Sequence, residues 1–147
     1  MPDFDAVIVG ASLAGCAAAV HLGRAGARVA LVERRPDPDA YKRVCGHFIQ
    51  ASAMPALERL GVLGELEAAG GVRGHARVWT RYGWITAPQR EGGSLSIRRQ
   101  VLDPLLRRTA AATPGVELLL GHSLEALEPG RVELRHRGAR ARSPRGS

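Results

Sequence analysis

A glycine-containing turn near the N-terminus constrains the fold of this chain more than any other feature. Residues 6–9 read AVIV, an apolar run typical of a strand that is buried on both faces. Residues 10–15, GASLAG, form the turn, and an alanine-rich helix follows that ends near Gly26. Residues 28–32 predict a second strand, with Glu33 at its carboxyl end. This order predicts an α/β fold that begins with a Rossmann-like βαβ unit.

The parts of this βαβ segment suit the binding of a dinucleotide. Gly10 permits a turn too tight for a side chain, and Gly15 lets the helix lie close to the sheet. The helix N-terminus carries unpaired N–H groups and about half a positive charge, which attract a pyrophosphate. Glu33 lies 23 positions after Gly10, close to the spacing of about 20 at which an acid accepts hydrogen bonds from a ribose.

The middle position of the turn departs from the usual glycine pattern, because it is Ser12. Its Cβ occupies room that the pyrophosphate would otherwise approach. Its hydroxyl either binds a phosphate oxygen, which is worth about 1.5–3 kcal/mol, or caps the helix N-terminus. The two interpretations are compatible, since both place the hydroxyl at the same end of the helix.

The positive charge of the chain is concentrated at its C-terminus. The net charge is +7, and residues 131–147 contain six arginines and one acid, so the other 130 residues carry only +2. We expect residues 136–147, HRGARARSPRGS, to form a disordered basic tail. Binding of nucleic acid or of an acidic surface through this tail is the least favoured function, because the remainder of the chain is not basic.

Composition excludes several other classes of protein. No run of 18 apolar residues is present, so no membrane span is predicted. The acidic first residues do not resemble a signal peptide, and the two cysteines, Cys16 and Cys45, do not suggest a disulfide framework, so we expect a cytoplasmic protein. Cys16 is expected to be a small buried residue. Cys45 and His47 have no second ligand pair at metal-binding spacing, so no metal site is expected.

The remaining chain predicts short helices and antiparallel strands after a polar loop over residues 34–45. The expected elements are helices at 53–60 and 63–69, a β-hairpin at 76–86 within a sheet-forming region at 72–97, a helix at 101–112, and strands at 116–120 and 131–135. Ser52 is expected to cap the first of these helices, and Pro104 to lie in the first turn of the third. Trp79 and Trp84 either pack against their hairpin neighbours or begin a sheet that covers a substrate.

With these motifs the sequence resembles the FAD-dependent oxidoreductases of the aromatic-hydroxylase and geranylgeranyl-reductase superfamily. Residues 7–15 resemble the N-terminal FAD motif of that family. Residues 42–46, KRVCG, are similar to a loop that passes near the flavin in its reductase branch. Arg99 followed by Leu102 and Asp103 resembles a helix start whose arginine approaches the FAD diphosphate. The resemblance extends from residue 5 to about residue 135.

The resemblance implies that the chain binds FAD and assigns residues to that cofactor. Those at the pyrophosphate would be Gly10, Ser12, Leu13, Ala14 and Gly15, with Glu33 at the adenosine ribose and Arg43 and Arg99 at the diphosphate or ribitol. Arg34, in the basic loop, either faces the pyrophosphate or ribose or is solvated. NAD is the alternative cofactor, since Glu33 would repel the 2′-phosphate of NADP. The resemblance implies no catalytic acid or base.

The family reaction implied is hydride transfer from NAD(P)H to FAD, followed by hydroxylation or reduction of a small-molecule substrate. The later Asp-Gly and Gly-Asp motifs of the family have no counterpart in the 147 residues. We therefore expect residues 1–135 to be a truncated FAD-binding domain with the start of an inserted antiparallel substrate sheet, inactive alone. A non-catalytic module that holds the ADP moiety is the alternative. Exposed sheet edges would favour self-association.

Overall fold

The computed structural model describes residues 3–75, 77–85 and 93–136. The elements in chain order are β1 (Ala6–Val9), α1 (Leu13–Arg24), β2 (Val29–Glu33), β3 (Phe48–Ile49), a 3₁₀ turn (Ala51–Ala53), α2 (Met54–Leu60), α3 (Leu63–Ala68), β4 (Val72–Gly74), β5 (Val78–Thr80), β6 (Gly83–Ile85), β7 (Ser94–Ser96), α4 (Arg99–Ala111), β8 (Val116–Leu120), β9 (His122–Glu128) and β10 (Arg131–His136). These elements fall into two compact units. Unit 1 comprises the described residues up to Ala40 and from Leu106 onward, and unit 2 those from Tyr41 to Leu105.

Unit 1 contains the parallel sheet that the glycine turn predicted. Its strand order is β1-β2-β8, and all three strands run in the same direction. Val9 pairs with Val32, and Glu33 pairs with Leu120, so the carboxyl ends of the strands meet at one edge. The α/β fold with a βαβ unit is therefore confirmed, with α1 as the crossover between β1 and β2.

The expectation that β1 is buried on both faces is wrong. β2 is the central strand, and its residues Val29–Val32 are at most 1% exposed. β1 lies at the edge of the sheet that the described residues form, and Val9 is 56% exposed. The apolar run of β1 reflects a preference for burial, whereas the burial that a strand reaches also depends on neighbours at both of its edges.

Helix α1 packs on the sheet through a face of small residues. Its buried residues are Cys16, Ala19, Val20 and Gly23. A Cβ placed on Gly23 would lie 2.8 Å from the Pro114 carbonyl oxygen and from a methyl group of Val116. The prediction that Cys16 is a small buried residue is confirmed, since it is fully buried.

An antiparallel hairpin completes unit 1. β9 and β10 pair from Arg131↔Glu128 to His136↔His122. The sequence predicted β10 as residues 131–135, and the strand extends to His136, one residue into the expected tail. The rest of that expected tail, residues 137–147, lies outside the described residues. β9 had no element assigned to it, because its alternation of polar and apolar residues is irregular.

Unit 2 contains the antiparallel strands expected in the region of residues 72–97. β7 pairs antiparallel with both β3 and β4, and β5 pairs with β6 as the predicted hairpin. The expected hairpin ends, Ala76 and Thr86, lie outside the described residues. Met54, Leu57, Leu60 and Leu66 of α2 and α3 are buried, so these helices contribute to the core, as their apolar periodicity predicted.

Two helix starts differ from their predicted positions. Ser52 lies inside a 3₁₀ turn, and Ala53 occupies the N-cap position of α2 instead. Helix α4 begins at Arg99, two residues earlier than predicted, so Pro104 lies inside the helix rather than in its first turn. The earlier start follows from the N–H groups of Val101 and Leu102, which both donate to the Arg98 carbonyl. None of the described helices has the length and apolar character needed to cross a bilayer.

Candidate cofactor-binding site

The turn between β1 and α1 requires glycine at two positions, at Gly10 for its backbone conformation and at Gly15 for its close packing. Gly10 has a φ angle of +106°, a region that side chains with a Cβ rarely adopt. Its N–H donates to the Val32 carbonyl at 2.7 Å, which joins the turn to β2. A Cβ on Gly15 would lie 1.9 Å from the Gly10 carbonyl oxygen, so no larger residue fits without moving α1.

The start of α1 presents backbone donors beside this turn. The first intrahelical bond runs from the Cys16 N–H to the Ser12 carbonyl at 2.9 Å. The amides of Leu13, Ala14 and Gly15 therefore belong to the helix start, where N–H groups have no carbonyl partner in the helix. No acidic residue stands in the first turn, so the positive field of the helix end is not neutralised there.

Ser12 occupies the N-cap position of α1, as predicted, with φ −106° and ψ −164°. Among the described residues its hydroxyl makes no capping hydrogen bond to the helix. Of the two roles considered for this hydroxyl, capping is therefore not observed. Phosphate binding stays a prediction. Ser12 is exposed at the start of α1.

Glu33 lies against the glycine turn. One carboxylate oxygen, Oε2, accepts the Ala11 N–H at 3.1 Å, and Oε1 accepts the Arg35 N–H at 3.0 Å. A carboxylate offers about four lone-pair sites, so these two bonds leave acceptor capacity for ribose hydroxyls. The groups present therefore fit the ADP part of a dinucleotide, with amide donors for the diphosphate and a carboxylate for the ribose.

Sequence reasoning missed Arg107, which also contacts the turn. Its side chain is 3% exposed, and its Nε–H donates to the Ala11 carbonyl at 2.9 Å. Its Nη1 donates to the Pro38 carbonyl in the loop after β2. The available signal was its spacing, because Arg107 falls three residues before the buried Ala110 on the apolar face of α4.

Unit 2 brings together two of the motifs that carry the family resemblance. Arg99 is 5% exposed, and its Nε pairs with Asp103 Oδ1 at 2.6 Å. Its Nη1 contacts the Cys45 sulfur at 3.7 Å, and the Lys42 N–H donates to Asp103 Oδ2 at 3.0 Å. The loop at residues 42–46 and the start of α4 therefore form one cluster, centred on Arg99.

The cluster changes the ionisation of two of its members. A backbone hydrogen bond at His47 and the Arg99 guanidinium lower the pKa of the Cys45 thiol from its usual value. Burial acts to lower the pKa of Arg99, but the carboxylate of Asp103 and the Cys45 sulfur outweigh it and raise that pKa. Cys45 is thus placed to form a thiolate more readily than an ordinary cysteine.

The two remaining predicted contacts are exposed arginines. Arg34 directly follows Glu33 on the loop after β2, in unit 1. Arg43 lies in the loop of unit 2 between Lys42 and Cys45. The structure thus groups Gly10, Ser12, Leu13, Ala14, Gly15 and Glu33 at one edge of unit 1, and places Arg99 in the separate cluster of unit 2.

Comparison with known proteins gives concordant matches. The aklavinone 12-hydroxylase RdmE of Streptomyces purpurascens is 32% identical over 129 residues, which are 86% of this chain and 22% of that protein. The menaquinone reductase of Mycolicibacterium smegmatis is 32% identical over 123 residues, 80% of this chain and 29% of that protein. The crystal structure of the flavin-dependent monooxygenase PieE with FAD and substrate superposes with a TM-score of 0.69 at 20% identity, over 90% of this chain and 28% of that one.

The chain spans between 13% and 29% of the length of the curated relatives that it matches. The sequence profile described as FAD binding domain matches residues 3–138, nearly the whole chain. That match includes both the glycine turn with Glu33 and the Arg99 cluster. This chain therefore belongs to the FAD binding domain family.

Proposed function

We propose that unit 1 binds the ADP half of FAD, with the diphosphate at the N-terminus of α1 and the ribose at Glu33. The observation that carries this proposal is the 3.1 Å hydrogen bond from the Ala11 N–H to Glu33 Oε2. It places the only acid at the end of β2 directly beside the glycine turn. The diphosphate and the ribose are adjacent groups of one nucleotide. A site that binds both therefore needs amide donors and a carboxylate acceptor next to each other.

Each residue of the turn has a distinct part in this binding. The amides of Leu13, Ala14 and Gly15 donate to the diphosphate, and Gly10 and Gly15 keep side chains out of its approach. The Ser12 hydroxyl binds a phosphate oxygen. The Glu33 carboxylate accepts hydrogen bonds from the ribose and repels a 2′-phosphate, which favours FAD over NADP and leaves NAD as the alternative ligand.

The longer proteins that this chain resembles suggest the chemistry of the bound cofactor. When bound, FAD would supply redox chemistry, namely the uptake of a hydride from NAD(P)H and the transfer of electrons to a substrate or to oxygen. One matched relative is named a hydroxylase and another a reductase, so we propose the class they share. That class is a flavin-dependent oxidoreductase acting on a small molecule, which we place in the cytoplasm. Arg34, Arg43 and Arg99 stay predicted cofactor contacts.

Equilibrium dialysis of the purified chain against FAD, ADP, adenosine and NADH tests this proposal. We expect FAD and ADP to compete for one site, and Glu33→Ala to weaken both, because the ribose acceptor is lost. Gly64→Ala is the matched control, since a Cβ there meets nothing within 4 Å. Binding of FAD that ADP does not displace, or that survives Glu33→Ala unchanged, would overturn the assignment.

A second candidate is a module that holds the cofactor without turnover. One observation favours it: the backbone amides and the carboxylate that lie together in unit 1 suit the diphosphate and ribose of the ADP half. The rate of anaerobic reduction by NADH or NADPH, measured as the loss of flavin absorbance, distinguishes the two candidates. An oxidoreductase should accelerate reduction of its bound FAD over that of free FAD, whereas the module should bind FAD and leave the rate unchanged.

A further inference from the structure

Arg107 is a buried cation on the inner side of the glycine turn. Its guanidinium donates to two backbone carbonyls, those of Ala11 and Pro38. Among the described residues it takes part in no ion pair. The acid one helical turn earlier on α4, Asp103, pairs with Arg99 instead. Burying a charge that has two neutral carbonyls as its partners among the described residues costs free energy.

Arg107 and Glu33 both bond the backbone of Ala11 within the glycine turn. Ala11 is fully buried, and its two polar groups are held from different directions, the N–H by Glu33 and the carbonyl by Arg107. The peptide bond between Ala11 and Ser12 is trans, so the Ser12 N–H points opposite to the Ala11 carbonyl. Since Arg107 bonds this carbonyl, the Ser12 N–H is directed away from the Arg107 guanidinium.

We propose that Arg107 is a positioning residue for the cofactor diphosphate. It keeps the Ala11 carbonyl dipole turned away from the anion and the Ser12 N–H turned toward it. Its charge, which forms no ion pair with a described residue, adds to the positive field at the N-terminus of α1 and is balanced when the diphosphate binds. This inference rests on the proposed binding of the ADP half in unit 1.

The test compares ADP with adenosine, because only ADP carries the diphosphate. In Arg107→Met we expect ADP to bind about tenfold more weakly, with the affinity for adenosine unchanged. Arg108→Met is the matched control, since this neighbour is exposed on α4 and its substitution removes the same charge. We expect the control to retain the wild-type ratio of ADP to adenosine affinity.

Arg107→Lys covers the case in which the methionine variant fails to fold, as judged by circular dichroism. It keeps the charge, and we expect it to retain more of the preference for ADP than a neutral residue does, while falling below wild type because the fork of two donors is lost. A ratio of ADP to adenosine affinity equal to wild type in the folded variants would overturn the inference. A wild-type chain that binds neither ligand would overturn the proposed function itself.

Discussion

The Glu33 carboxylate accepts a hydrogen bond from the Ala11 N–H at 3.1 Å, across 22 positions of sequence. This bond joins the end of β2 to the turn after β1, alongside the bond from the Gly10 N–H to the Val32 carbonyl. The two bonds therefore connect the acid to the turn that leads into α1. A nucleotide that binds at both would contact one edge of the sheet rather than two independent loops.

Substitution of Glu33 by glutamine should change which nucleotides bind. The amide keeps one acceptor oxygen but places an NH₂ group against a backbone N–H, and it no longer repels a 2′-phosphate. We expect weaker binding of ADP and a smaller preference for ADP over 2′-phospho-ADP, both measured by calorimetric titration. Glu117→Gln, an exposed acid in β8, is the control and should leave both values unchanged. An unchanged preference in Glu33→Gln would contradict the role given to this carboxylate.

Substitution of Gly15 by alanine should destabilise the chain and abolish cofactor binding. The new Cβ would lie 1.9 Å from the Gly10 carbonyl oxygen, so α1 must move away from the turn. Overpacking of this kind costs about 1–3 kcal/mol, which urea unfolding measures.

The same change at Gly64 gives the opposite expectation. Its Cβ would meet nothing within 4 Å, and alanine is favoured over glycine in a helix by up to about 1 kcal/mol. We expect Gly64→Ala to unfold at an equal or higher urea concentration than wild type. Equal losses of unfolding free energy in the two variants would contradict the role given to the close approach of Gly15 to the Gly10 carbonyl.

Alkylation of Cys45 should be fast at a lower pH than for an ordinary thiol. The thiolate is the reacting form, and the His47 backbone and the Arg99 guanidinium lower the pKa of this thiol. As the pH rises, the rate with iodoacetamide should therefore reach half its maximum below the value of about 8.5 expected for free cysteine. Mass spectrometry distinguishes Cys45 from Cys16, which is fully buried and should stay unmodified in the native chain.

Arg99→Met should move this rate profile of Cys45 to higher pH, because both a donor and a positive charge are removed. The chain unfolded in urea supplies the reference profile for a cysteine without these contacts. Identical profiles in the native and unfolded chains would refute the proposed interaction of Cys45 with Arg99.

The β5–β6 hairpin should drive self-association. Trp79 and Trp84 are 63% and 55% exposed, with their rings in a T-shaped contact at 5.3 Å. We expect sedimentation velocity to show association that increases with concentration and falls in the Trp79→Ser/Trp84→Ser variant, since exposed apolar surface favours contact. Leu22→Ser, at an exposed residue of α1, should have little effect. Association unaffected by loss of both tryptophans would exclude the hairpin as its cause.

Local patterns in the sequence were sufficient for the βαβ unit and for most of its site. Glycine conformation, apolar runs and the position of Glu33 act over a few residues, so β1, α1 and β2 were predicted closely. The apolar spacing of Met54, Leu57 and Leu60 likewise predicted a buried helix face, which is confirmed. The predicted roles of Arg34, Arg43 and Arg99 toward the cofactor stay predictions.

Tertiary packing decided the features that depend on distant segments. The bond from Arg107 to Ala11 joins residues 96 positions apart, and no local rule assigns a partner at that distance. The contact of Arg99 with Cys45, 54 positions away, likewise depends on which loop packs against α4. The exposure of β1 was decided by the absence of a second neighbour among the described strands. The sequence determined the glycine turn because steric limits on the backbone are local, whereas the carbonyl partners of the buried Arg107 lie far away in sequence and are brought to it only by tertiary packing.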